Sequence, residues 1–501
     1  MSAPCSSGGN KQLPDSGKTL SQRVARGGVW GFAYRITDSG VGLLRLIILG
    51  RLLTPNDFGL LGIALLAMAI LETFSATGFH EALVQKKEDI SRYLDSAWTA
   101  SVIRGVFLFI LLLLSSHYVA LFFNSPEASL IIKVIGVSVL LKGFTNISVV
   151  CFQKELEFNK LYLYHLSGNI SNFIVAIAAA LIFRSVWALV FGLLAGHLVG
   201  FFISYLIHPY RPRLCFDSDK LKELFGFGKW VLGSSALIFL LTQGDDIFVG
   251  RLLGVAALGF YQMAYKISNL PATEIDQIVS QVTFPAYSRM QDNLPRLRDA
   301  YLKVLQFTAF LSFPIGGLIF VLAPDFTGIF LGEKWMPMVP AMQALVCWGV
   351  IRSLTGAINP VFLSLGRPRT VTKLQAVQTV LMFILIYPLT VSWNILGASL
   401  AVFFSAFIMF FITNRILIKT INCKTLEFYR LIILPLSLTI IGTLPVIFIK
   451  LYGINLAGIY SFFLFVGIFI LVFILMSFVA DRFLNYGIRA LLRETLEKGL
   501  Q

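Results

Sequence analysis

Gly50-Arg51-Leu52-Leu53 recurs as Gly250-Arg251-Leu252-Leu253, and Gly59 recurs at the same offset as Gly259. Further along, Leu141-Lys142 with Thr145 is matched by Ile351-Arg352 with Thr355. Either match alone could arise by chance. Both fall at the same apolar run, counted from the start of each half, which argues for duplication. Each half holds six such runs, an even number, so the second half enters the bilayer in the same orientation as the first. The halves are then expected to be related by an axis along the membrane normal.

The runs themselves fix the class. Of 501 residues 57% are hydrophobic and 13% charged, where a soluble domain is roughly half apolar and about a quarter charged. A spanning helix needs about 20 mostly apolar residues. Fourteen runs satisfy this, at 27–52, 57–80, 95–117, 129–150, 162–183, 187–207, 225–249, 256–283, 301–323, 338–364, 371–392, 396–415, 429–449 and 457–480. The expectation is an all-α membrane protein with about fourteen transmembrane helices: two parallel six-helix repeats plus two C-terminal helices. Its parts are a tail (1–26), a first lobe (27–207), a connector (208–224), a second lobe (225–415), two added helices (416–480) and an amphipathic tail (481–501) lying on the anionic inner leaflet.

The cations check the orientation. With both termini inside a plasma membrane, only Arg51, Arg184, Arg251, Lys334 and Lys450 fall at outside ends, and the other flanking Lys and Arg fall inside. The net charge of +15 therefore reports topology, and nucleic acid is not an expected partner. The five cysteines stand alone, with no paired spacing, so neither a disulfide nor a metal site is implied; no cofactor motif is present. Gly226-Phe-Gly-Lys229 is not a phosphate loop, and Asp217-Ser-Asp219 reads as a solvated connector. Asn146-Ile-Ser and Asn169-Ile-Ser lie within or beside spans, where glycosylation does not reach. The five histidines are scattered; only His80 beside Glu81 suggests a proton relay.

Charges inside the spans carry the functional signal. Arg35, Arg45, Arg104, Lys142, Lys266 and Arg352 stand at depth with Asp38, Asp245, Asp246 and Asp276. Each charge at mid-depth costs about 2.5–3.5 kcal/mol on insertion scales, so these groups must face water, one another or a ligand. Arg35, Asp38, Gly42 and Arg45 share a helical face, as do Gln262, Lys266, Asn269, Thr273, Asp276 and Ser280. The expectation is a wet cavity whose cations select an anion, because guanidinium matches phosphate bidentately and lysine acts as a point charge. The four aspartates are then gate or coupling candidates. The repeat makes Arg45 and Asp245 equivalent positions, able to pair across the outer side.

Several stretches resemble a known family. These are Asp246-Ile-Phe-Val-Gly-Arg-Leu-Leu-Gly-Val-Ala-Ala-Leu-Gly-Phe-Tyr-Gln-Met-Ala-Tyr-Lys-Ile267, Val282-Thr-Phe-Pro-Ala-Tyr-Ser-Arg-Met-Gln291, Gly50-Arg-Leu-Leu-Thr-Pro-Asn-Asp-Phe-Gly59, Leu331-Gly-Glu-Lys-Trp335 and Leu365-Gly-Arg-Pro368. Their order is similar to that of the polysaccharide-transporter family, the O-antigen and exopolysaccharide flippase branch of the multidrug/oligosaccharidyl-lipid/polysaccharide exporter superfamily, nearest its colanic-acid-exporter type. The resemblance implies flipping of a polyprenyl-pyrophosphate-linked oligosaccharide by alternating access, coupled to an ion gradient, with Arg35, Arg45 and Lys266 among the cavity cations. It implies membrane lipids, a polysaccharide polymerase and chain-length machinery as partners. A multidrug exporter of the same superfamily would want acids commanding the cavity. A membrane glycan polymerase or ligase often needs a large outside loop, and the outside loops here are short.

Overall fold

A computed structural model describes residues 20–75, 91–154, 157–215, 217, 237–452 and 458–484, and among them every regular element is helical. The longer helices are α1 (Leu20–Leu52), α2 (Pro55–Phe74), α3 (Ser91–Phe122), α4 (Ala128–Phe144), α5 (Phe158–Phe183), α6 (Trp187–Ile207), α7 (237–253), α8 (Val255–Ser288), α9 (Leu294–Phe326), α10 (Val339–Gly356), α11 (Pro368–Thr420), α12 (Thr425–Leu451) and α13 (Ile459–Leu484). Nine helical segments among the described residues are long and apolar enough to cross a bilayer. Their outward faces carry large apolar side chains, as on α13, where Phe463, Leu471, Leu475 and Phe478 are exposed. So much contiguous apolar surface requires hydrocarbon around it, and the chain is a multi-pass membrane protein. The Gly226–Lys229 stretch, Asp219, His80 with Glu81, and the tails at 1–19 and 485–501 lie outside the described residues.

The quoted motifs turn out to be devices for starting and turning helices. Thr54 and Asp57 close a capping box on α2: the Thr54 backbone N–H donates to Asp57 Oδ2 at 2.8 Å, and the Asp57 N–H donates back to Thr54 Oγ1 at 3.4 Å. Pro55 occupies the first turn, where no amide donor is needed. In Leu331-Gly-Glu-Lys-Trp335, Gly332 turns the chain at φ 98°, a region closed to side chains with a Cβ. That turn seats Trp335, which is fully buried and edge-on to Phe260 at 5.8 Å. A straight helix of the 53 residues in α11 would be about 80 Å long, more than twice the roughly 30 Å hydrocarbon core. Non-helical Trp393 and Asn394 split it into two arms, at the gap expected between runs 371–392 and 396–415.

The chain forms two compact units, Met1–Gly259 and Phe260–Gln501. In the first, α1 packs on α5, α5 on α6, α6 on α4, and α4 on α2 and α3. Small residues permit the close approaches: an added Cβ at Gly105 would lie 3.0 Å from Gly143 Cα, and one at Gly196 would lie 2.9 Å from Gly168 O. The connector continues this unit. Tyr210 donates its hydroxyl to Asp95, which also accepts from Arg213 N at 2.9 Å, while Cys215 N donates to Thr99 Oγ1 at 3.0 Å. Burial and the Asp95 bond push the Tyr210 phenol well up, keeping it a donor. Asn146, dismissed as a glycan acceptor, donates to Tyr210 O at 2.8 Å. In the second unit α9 packs on α10 and α12, α10 on α11, and α12 on α13. Lys450 pairs with Asp325 between α12 and α9, and its ammonium also lies over the Phe465 ring of α13 at 5.4 Å.

One cysteine expectation is corrected. Cys151 is disulfide-bonded, whereas Cys215, Cys347 and Cys423 are free thiols.

The repeat-related glycines meet. In the first unit, the first turn of α8 returns to the first turn of α2 so closely that a Cβ on Gly59 would overlap Val255 O, and a Cβ on Gly259 would overlap Pro55 O. The contact is reciprocal, each glycine facing the first-turn carbonyl of the other helix. The repeated threonines also behave alike: Thr145 Oγ1 donates to Leu141 O at 3.0 Å and Thr355 Oγ1 to Ile351 O at 3.1 Å. Gly59→Ala and Gly259→Ala should each lower the thermal unfolding midpoint of the purified protein. Because both open one contact, the double variant should fall little further than either single one. Additive losses would mean that the two glycines act independently.

Candidate functional site

The sequence-identified charges distribute over both units. Arg35, Asp38 and Arg45 lie half-buried along α1, with Asp38 and Arg45 close enough for their charges to interact. Asp38 accepts a hydrogen bond from Asn169 Nδ2 of α5, tying the two helices together. Asp245 and Asp246 on α7 are both buried, 2% and 8% exposed. The C-terminal end of α7 is held by Arg251, whose guanidinium lies over the Phe122 ring at 5.4 Å. With the Asn124 amide oriented to satisfy both groups, its oxygen accepts from Arg251 Nη1 at 2.8 Å. Arg251 therefore clamps the end of α7 onto the α3–α4 turn.

Arg104 and Lys142 converge on one carboxylate-bearing residue. Lys142 Nζ pairs with Glu72 Oε1 at 3.1 Å, joining α4 to α2. Arg104 Nη2 donates to the Glu72 carbonyl at 2.9 Å, and its Nε donates to Ser75 Oγ at 3.0 Å. The guanidinium thus satisfies carbonyl and hydroxyl at the C-terminal end of α2, where the helix dipole favours a cation. Its charge is used within the fold.

Lys142 also lines a polar cavity of about 220 Å³ between α4, α5 and α6, together with Tyr164, His165, Asn169, Asn172 and His197. Sequence reasoning missed the histidines and asparagines, although the signal was present. Tyr164, Gly168 and Asn172 recur every four residues on α5, and Leu193, Gly196, His197 and Gly200 form one face of α6.

In the second unit the α8 stripe divides. Lys266 is exposed. Asn269 is buried against Gly349, Asp276 lies against Gly356, and Ser268 Oγ donates to Met342 O at 2.8 Å, so this part of α8 faces α10. The glycines at 349 and 356 make room for those polar side chains, as close helix packing in membranes requires. The Arg352 guanidinium lies over the Trp348 ring at 5.6 Å. Between α9, α10, α12 and the second arm of α11 opens an apolar cavity of about 630 Å³, walled by residues such as Phe320, Val350, Phe407, Ile432 and Leu436.

Three comparisons bear on this arrangement. A family profile described as "Polysaccharide biosynthesis protein" matches residues 48–340. The lipopolysaccharide biosynthesis protein WzxC of Escherichia coli is 26% identical over 449 residues, covering 88% of this chain and 89% of that protein. The teichuronic acid biosynthesis protein TuaB of Bacillus subtilis is 26% identical over 352 residues, covering 70% and 73%. Among solved structures, lipid II flippase MurJ in an inward closed conformation superposes with a TM-score of 0.73 over 92% of this chain and 99% of that one, at 15% identity. This last likeness is one of fold.

If Arg104 serves the fold, Arg104→Leu should lower the thermal midpoint, consistent with about 1.5–3 kcal/mol per charge-assisted bond lost. Arg104→Lys, which keeps one bond, should lie between. Unchanged stability with lost transport would return Arg104 to the substrate cations.

Proposed function

The chain belongs to the polysaccharide biosynthesis protein family, and from that premise we propose that it flips a polyprenyl-pyrophosphate-linked oligosaccharide from the inner to the outer leaflet of the plasma membrane for surface polysaccharide synthesis. One observation carries the reading. The first unit holds a polar cavity edged by a lysine and two histidines, and the second holds a larger cavity with apolar walls. Taken each by itself, the first suits an anionic, hydroxyl-rich head group and the second a hydrocarbon chain. The role is transport rather than catalysis. The relatives' names, which speak of polysaccharide synthesis, and the fold shared with a lipid flippase support it.

The topology that goes with this function has fourteen spans and both termini inside, with lobes 27–207 and 225–415 followed by two further helices. Transport proceeds by alternating access. Arg35, Arg45 and Lys142 of the first unit and Lys266 and Arg352 of the second are the cations proposed to meet the head group. Asp38, Asp245, Asp246 and Asp276 serve the gate or the coupling ion. Arg45 and Asp245 hold the outer side shut by pairing in one state and parting in the other.

The test is leaflet exchange. Purified protein in liposomes should move a labelled polyprenyl-pyrophosphate oligosaccharide at a rate well above protein-free vesicles. Lys266→Ala should weaken that lipid's binding about tenfold or more. Exchange no faster than in empty vesicles would defeat the function. The gate has its own test: Arg45→Asp and Asp245→Arg should each abolish exchange, and their combination should restore it. A double variant as inactive as the singles, with normal insertion, would remove the pair from the mechanism.

A further inference from the structure

The apolar cavity of the second unit is a trough, and one of its ends is charged. Its volume is about 630 Å³, and its wall on α12 runs from Tyr429 to Ile447, about 27 Å of helix at 1.5 Å per residue. That is long enough to take an acyl chain whole, in a hydrocarbon core roughly 30 Å thick. The wall residues Phe407, Ile433 and Ile440 are also exposed, so the trough is open along one side, where hydrocarbon surrounds the protein.

The wall on the second arm of α11 leads to the charge. Phe403, Phe407 and Phe411 form a ladder four residues apart, with successive ring centroids 5.6 and 5.1 Å apart. The next two positions at that spacing are Arg415 and Lys419, both exposed, and side chains four apart on a helix are neighbours. At the same end α12 begins, where Phe428 stacks on Tyr301 of α9 and clusters with Leu417 and Ile421. It brings Lys424, at its cap, and Arg430, next to the wall residue Tyr429, both exposed. Against these cations the stretch 411–430 supplies one acid, Glu427. Among the described residues, Arg415, Lys419 and Lys424 have no ion-pair partner. At the opposite end the cation is already used: Lys450 pairs with Asp325 and donates to Val321 O at 3.0 Å. Basic residues at helix ends also report topology. Topology does not require a hydrocarbon trough leading to them.

We propose that this trough is a binding site for an anionic phospholipid of the bilayer, one acyl chain lying along Phe407 and Leu436 and the phosphate meeting Arg415 and Lys419. Bound so, the lipid bridges α11 and α12. The bilayer is the source because the trough opens on it, and mass action fills such a site with what is abundant. A cargo tail would enter the same wall only by displacing that chain. The site goes beyond the flippase reading and does not rest on it. The topology that goes with that reading puts it in the inner leaflet, whose anionic lipids attract basic segments.

The test maps the lipid on the protein. The full chain is placed in phosphatidylcholine nanodiscs holding a trace of phosphatidylglycerol with a diazirine in one acyl chain, then irradiated and digested for mass spectrometry. Adducts should concentrate on 403–411 and 429–440 and be competed away by unlabelled phosphatidylglycerol. The same diazirine on phosphatidylcholine should label the exposed apolar faces without favouring these two segments. Arg415→Gln and Lys419→Gln, both at exposed positions, should each weaken the competition about fivefold. Leu436→Trp, which fills the trough and leaves the cations in place, should remove the adducts. Equal enrichment with both lipids, or competition unweakened in the double glutamine variant, would overturn the site. Displacement by polyprenyl phosphate at a lower concentration than by phosphatidylglycerol would overturn it too, giving the trough to the cargo's tail. No leaflet exchange is measured, so failure here leaves the flippase reading standing, and failed exchange leaves this labelling result intact.

Discussion

A charge in hydrocarbon must be answered by a partner within reach, and that constraint organises this molecule. Water is not at hand in the bilayer core, so each ionised side chain either recruits another helix or marks a cavity. Glu72 recruits Lys142 and so joins α2 to α4, and Asp38 recruits Asn169 and joins α1 to α5. Arg104 answers the orphan groups at the end of α2. Hydrophobic burial cannot drive these helices together, since lipid is as apolar as their side chains. What remains is close packing through glycine and these polar ties. Both devices occur at the same contacts, as where Gly356 admits Asp276 and Gly349 admits Asn269.

Sequence and structure agree where a rule acts along one helix and part where the answer lies on another. Run lengths and the break near Trp393 were legible because hydropathy and helical length are local. The register of Gly59 and Gly259 was legible as a repeat, but not as a contact, because nothing in either copy says that the two turns touch. Arg104 read as a cavity cation, and its bonds to Ser75 and the Glu72 carbonyl were not legible because they come to it from another helix. His165 and His197 looked scattered in the chain, yet α5 and α6 bring them to one cavity. The α8 stripe was legible as polar, and the glycines of α10 decide which part of it is a helix contact.

The family motifs fit the same view. Gly50–Gly59, Leu331–Trp335 and Leu365–Pro368 hold no catalytic set; they hold a capping box, a left-handed glycine before a buried tryptophan, and a proline in the first turn of α11. Such motifs fix where helices begin and turn.

The central claim is that the cations retained in the membrane act on the anionic head of a lipid-linked glycan. The most direct measurement compares two labelled lipids carrying the same glycan and the same polyprenyl tail in the same proteoliposomes. One is joined through pyrophosphate, the other through a neutral ether. The account predicts protein-dependent exchange of the pyrophosphate lipid and, for the neutral lipid, exchange no faster than in protein-free vesicles. Equal protein-dependent exchange of both would contradict it.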